Sequence, residues 1–160
     1  MRKAFLGAVL AAFVMVMFAG CGKMPAERML AKGKKYEEKQ KFKEAIGVYE
    51  RLIRHFPNDP AVASARYSMG NVYMYGLQDY PKAVDMFTQV IQTCPDTMKI
   101  VSQSHFLIGF VYNNFAVDTA KARAAYADFL KKYPKHELAA SVKWELDHLG
   151  RDINADPMFK

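Results

Sequence analysis

Few side chains in this sequence are placed to do chemistry, and the first is a cysteine near its start. Met1-Arg2-Lys3 is followed by Ala4 to Gly20, seventeen residues without a charge, and then by Cys21. A basic start, an apolar run and small residues ahead of a cut describe a secretory signal peptide. The alternative reading of the same run is an uncleaved anchor, at the short end of the spanning range. Cys94 is the other cysteine of the sequence and reads as an inert packed thiol. The fold must then hold by packing alone in an oxidising compartment. His55, His105, His136 and His148 are far apart, show no metal-ligand spacing, and read as solvated or helix-capping residues. Ser64, Ser68, Ser102 and Ser104 lack a nucleophile elbow. Gly70 and Gly109 are isolated, so no phosphate-cradling loop is present. No catalytic residue, metal or cofactor is expected.

The elements that hold these residues follow a repeating frame. Gly70, Tyr73, Ala83, Phe87 and Pro95 mark one unit. The same residue classes recur upstream as Gly33, Tyr36, Ala45, Tyr49 and Pro57, and downstream as Gly109, Tyr112, Ala122, Tyr126 and Pro134. A glycine inside a helix is unfavourable by about 1 kcal/mol relative to alanine. Its place in each first helix therefore implies that another helix passes too close for a side chain. Ala45, Ala83 and Ala122 supply the matching small residue on the second helix. Tyr49, Phe87 and Tyr126, one turn on, fill the space between units. Each proline stops its second helix, because the residue before proline is pushed out of the α region.

This spacing resembles the tetratricopeptide repeat (TPR), a helix–turn–helix unit of about 34 residues, over roughly residues 24 to 150. The resemblance implies an all-α TPR solenoid with repeats at about 25–59, 60–97 and 98–134 and a capping helix over 136–149. In that last helix Leu138, Val142, Leu146 and Leu149 share one stripe, and residues 151–160 read as a loose tail. Gly70 to Ala83 and Gly109 to Ala122 span thirteen residues, against twelve from Gly33 to Ala45. The last two units therefore carry an extra residue in the inter-helix turn, as in TPR proteins of the bacterial envelope. Phe18-Ala19-Gly20-Cys21 is similar to a bacterial lipobox. It makes 1–20 a lipoprotein signal peptide and 21–24 a lipidated cysteine, bearing acyl chains such as palmitate, with a short tether. Gly22 in place of Asp points to the outer membrane, facing the periplasm. The segment HFPNDPAVASARYSMGNVY resembles TPR domains of two envelope proteins, and YPKHELAASVKWELDHLG is similar to the end of that domain in the second of them. One is the TPR lipoprotein of the outer-membrane barrel-assembly machine; the other is the periplasmic, Tol-associated cell-division coordinator.

The formal charge of +7 falls to +5 without Arg2 and Lys3. The surplus sits in residues 22–57, where ten Lys and Arg face five acids, while 58–97 is at −2. That basic end reads as a solvated face or as a contact for anionic headgroups. An envelope address excludes nucleic acid as a partner. What the family resemblance leaves is a concave groove lined by the first helices, which takes an envelope protein or a peptide segment. Carried over by position, its lining is Tyr67, Asn71, Met74 and Tyr75, then Phe106, Phe110, Asn113 and Asn114, with Lys34 and Glu37 from the first unit. Tyr67, Phe106 and Phe110 read equally well as inter-repeat core. The reading is a lipid-anchored scaffold or adaptor for protein–protein interactions in outer-membrane protein assembly or envelope division. The alternatives are an accessory carrier of a peptidoglycan fragment or other small ligand, and a pilus-biogenesis lipoprotein.

Overall fold

Each second helix ends the same way, and the prolines explain it. The helices stop at His55, Thr93 and Lys132, two residues before Pro57, Pro95 and Pro134. In each case the N–H of the next residue still reaches back four positions: Phe56 to Leu52, Cys94 to Val90 and Tyr133 to Phe129, at 2.8–3.1 Å. The proline beyond cannot continue the ladder. The computed structural model describes residues 25–95 and 99–150. Cys21, the signal peptide and the tether, and the tail 151–160 lie outside the described residues.

Among the described residues there are seven α-helices, the first six in pairs. The first unit is α1 (Ala26–Glu38) and α2 (Phe42–His55). The second is α3 (Ala61–Asn71), which runs on into a π-helical turn over Val72–Gly76, and α4 (Tyr80–Thr93). The third is α5 (Lys99–Asn114) and α6 (Thr119–Lys132), and α7 (Ala139–His148) closes the stack. Each helix packs on the next, and α1 also meets α3, as α3 meets α5. The arrangement is an α-solenoid. Helix α7 begins three residues later than the sequence suggests, because the His136 imidazole accepts the Leu138 N–H at 3.1 Å and holds a turn there. No helix among the described residues is long and apolar enough to cross a membrane.

The extra residue in units two and three has a visible purpose. In unit one the Lys41 N–H bonds Tyr36 O, five residues back; in the others Asp79 and Asp118 reach Tyr73 and Tyr112, six residues back. The longer turn sets an aspartate at the N-cap, where its Oδ1 accepts from the Lys82 or Lys121 N–H. Lys82 and Lys121 then pair with the same aspartates at 2.6 and 3.1 Å and lie over the Tyr73 and Tyr112 rings.

The repeat glycines do stand where a side chain has no room, but the obstacle differs from the expected helix backbone. A Cβ on Gly70 would lie 2.5 Å from the Phe87 ring. One on Gly33 or Gly109 would meet the rings of Tyr49 or Tyr126. Glycine therefore makes a slot for the aromatic of its own unit. Those rings and Ala45, Ala83 and Ala122 are completely buried.

Candidate partner-binding face

The glycine slots decide which side of each first helix is already occupied. One turn past each glycine, at the fourth residue on, stand Glu37, Met74 and Asn113. These were expected to line the groove; instead they face inward, toward the far end of the second-helix aromatic. Tyr49 donates its hydroxyl to Glu37 Oε1. Phe87 has no hydroxyl, and its neighbour is Met74, 1% exposed in the same apolar cluster. In unit three Asn113 donates to Glu145 Oε2 of the closing helix at 3.0 Å. The Tyr126 hydroxyl is buried beside that amide and has no partner in hydrogen-bonding geometry among the described residues. Burial lifts the Glu37 carboxyl above its ordinary value, against the lowering effect of the Tyr49 hydrogen bond. Burial likewise lifts the Tyr49 phenol, helped by the Glu37 charge, and the Tyr126 phenol, helped by Glu145.

The neighbouring stripe, at three residues before and one and five after the glycine, is the one left to the surface. On α3 it carries Tyr67, Asn71 and Tyr75; on α5 it carries Phe106, Phe110 and Asn114. Tyr67 is half-buried, with its ring 5.8 Å from Phe87. Burial raises its phenol, and the Asn71 amide works against that. Asn71 is half-buried, and Tyr75 is 61% exposed. Phe106 and Phe110 are half-buried and lie 5.9 Å apart. Asn114 is exposed and gives one amide hydrogen to Phe110 O of its own helix. In unit one Lys34 is exposed on the same stripe, and Glu38 rather than Glu37 is the acid there.

Two rings complete this face that sequence reasoning missed. Phe115 lies 5.7 Å from Phe110, 6.3 Å from Tyr75 and stacks on Tyr80 at 5.0 Å. Phe106, Phe110, Phe115, Tyr80 and Tyr75 thus form one continuous aromatic run across units two and three. Tyr80 and Phe115 flank different inter-helix turns, so only stacking of the units joins them. A cluster of offset rings with amides at its margin can bury apolar area and hydrogen-bond a partner's backbone.

The remaining polar residues have structural employment. His105 is buried, not solvated, with Nδ1 3.3 Å from Asp128. His136 joins α5 to the closing segment through Ser102 Oγ at 3.1 Å. Cys94 is half-exposed rather than packed in the core. It lines a cleft of about 550 Å³ with Arg66 and the Pro57–Pro60 linker. Among the described residues no three His, Cys, Asp or Glu side chains gather to hold a metal.

Fold and face together define a TPR-type protein-interaction module. The family model described as "Soluble NSF attachment protein, SNAP" matches residues 6–145, and the chain belongs to that family. A solved structure from Podosopora anserina, described as a kinesin light chain of nearly identical TPR-like repeats, has the same fold, with a TM-score of 0.57. The two are 13% identical over 78% of this chain and 66% of that one, so this chain spans just under two thirds of its length. No curated protein matches the sequence.

Proposed function

We propose that this protein is a lipid-anchored adaptor of a bacterial cell envelope. It is held by acyl chains on Cys21, at the inner leaflet of the outer membrane, and grips a protein segment along its half-buried aromatic face. The observation that carries the reading is the run of rings from Phe106 to Tyr75, built from two neighbouring first helices with Phe115 just past α5 and Tyr80 at the start of α4, and flanked by Asn71 and Asn114. Membership of a repeat family that binds proteins supports the same use. The envelope address comes from the basic start, the apolar run and Phe18-Ala19-Gly20-Cys21. A role in outer-membrane protein assembly or envelope division fits an adaptor so placed.

Site-specific photocrosslinking in cells tests both parts. A crosslinker at Tyr75 or Asn71 should capture a discrete partner, while one at Arg123, exposed on α6, should not. Tyr75→Ala with Asn71→Ala should weaken that partner's binding about tenfold or more, the usual consequence of losing an interface anchor. Capture at Arg123 alone would move the binding face to the second helices. Mass spectrometry of the membrane-extracted protein should give a mature N-terminus at Cys21 with a lipid adduct, lost in Cys21→Ser. A chain that retains residues 1–20 refutes the anchoring.

A further inference from the structure

The repeat register shows an anomaly on α1. The residue just before the glycine and the one two after it are Met69 and Val72 in unit two, and Ile108 and Val111 in unit three. Met69 and Val72 are buried in one core cluster with Ala45, Ile46 and Tyr49 of the preceding unit. Val111 is fully buried with Ala83 and Phe87 of the unit before it. In unit one the same two positions are Lys32 and Lys35, both exposed. This is the end of the stack, where no described unit covers the face.

Arg28 and Lys39 extend that pair. Spacings of four, three and four residues put Arg28, Lys32, Lys35 and Lys39 on one face of the helix, over about 16 Å. All four are exposed, and none forms an ion pair among the described residues. Glu27 and Glu38 lie about a quarter-turn around the helix, and Glu37 is under Tyr49. Lys32, Lys35, Lys39 and the Tyr36 ring frame a hollow of about 300 Å³, with Lys32 Nζ 6.0 Å from the ring centroid. A solenoid end needs polar groups to stay soluble. Mixed charges would meet that need, whereas like charges at these spacings repel. An unbroken cationic stripe goes beyond a cap.

We propose that this stripe is a docking face for the anionic phosphate headgroups of a lipid bilayer. The inference rests on the anchoring argued above for its geometry. Helix α1 starts beside Pro25, four residues after Cys21, and at about 3.5 Å per residue that tether keeps it within roughly 14 Å of the membrane. Its cations are then the first to meet the headgroups, each phosphate seated among the lysines. The solenoid stands on its end face, and the aromatic run of units two and three points sideways, clear of the bilayer.

The test is lysine footprinting of the full membrane-extracted chain in vesicles of phosphatidylcholine, with or without a third of phosphatidylglycerol. Acetylation of Lys32, Lys35 and Lys39 should slow about fivefold or more on the anionic vesicles. Lys131 and Lys143, exposed on α6 and α7, should be unaffected, and high salt should abolish the difference. Equal labelling on both vesicles overturns the proposal. A second arm uses the chain from residue 21 with Cys21→Ser. Lys32→Ala, Lys35→Ala and Lys39→Ala together should lower its partition onto anionic vesicles about twentyfold or more, with Lys131→Ala and Lys143→Ala as the control. Alanine is the better helix former, so the fold is retained. Tighter stripe-dependent binding to soluble polyglutamate than to vesicles would replace the lipid by an acidic protein. Stripe-dependent vesicle binding in a chain found unlipidated at Cys21 would sink the anchoring while leaving this inference standing.

Discussion

Alanine at Gly70 pits a local rule against a tertiary one. In a helix interior the change should stabilise by about 1 kcal/mol through propensity alone. The added Cβ, however, would sit 2.5, 2.8 and 2.8 Å from three atoms of the Phe87 ring, which is completely buried. Carbon atoms settle at about 3.5–4.0 Å, so ring or helix must move by about 1 Å, and overpacking of that kind costs about 1–3 kcal/mol. The clash should win, with a net loss of up to about 2 kcal/mol and a melting temperature lower by up to about 8 °C. Gly47, in the middle of α2, has nothing within 4 Å of its would-be Cβ and is the control. There only propensity acts, so Gly47→Ala should raise the melting temperature by a few degrees. Phe87→Leu should in turn relieve Gly70→Ala. In a double-mutant cycle followed by circular dichroism, the pair should be less destabilised than the sum of the singles by about 1 kcal/mol or more. A higher melting temperature for both glycine variants, with additive behaviour in the cycle, would refute the slot.

Other outcomes follow from the same contacts. Tyr126→Phe should leave stability unchanged or slightly raised, since it removes a buried hydroxyl with no partner among the described residues, whereas Tyr49→Phe should cost about 1 kcal/mol; chemical denaturation distinguishes them. The folded-state pKa of Glu37 is raised from its ordinary 4.5, so its contribution is fully present below about pH 4.5 and lost as pH rises through the folded value. Glu37→Gln, which still accepts from Tyr49, should therefore raise the melting temperature at pH 7 and change it little at pH 4. Asp79 and Asp118 act in the opposite sense. Hydrogen bonds from Lys82 and Lys121 hold them below their ordinary 3.8, so their capping is present at neutral pH and lost on acidification below about pH 4. Asp79→Asn with Asp118→Asn should flatten the acid limb of a stability–pH curve.

The sequence by itself determined the repeat, because the features that make it are local or periodic. Proline ends a helix wherever it stands, aspartate caps one, and the thirteen-residue spacing encodes the longer turn. These choices act within a few residues, so register and helix pairing were legible from Gly33 to Pro134. Which side of each first helix stays free was not. Met74 and Asn113 lie as near the expected groove stripe in sequence as Asn71 does. Their inward place depends on a ring seventeen residues past the glycine, and on whether that ring bears a hydroxyl. Lys32 and Lys35 stood in the sequence only as part of a basic segment. Their meaning came from the buried Met69, Val72 and Val111 in the same register, which exist only once units stack. Tyr80 and Phe115, far apart along the chain, became neighbours by the same stacking. A helix's own period says which residues share a face; only the packed neighbour, by filling some of that face and leaving the rest, decides which part is left for a partner.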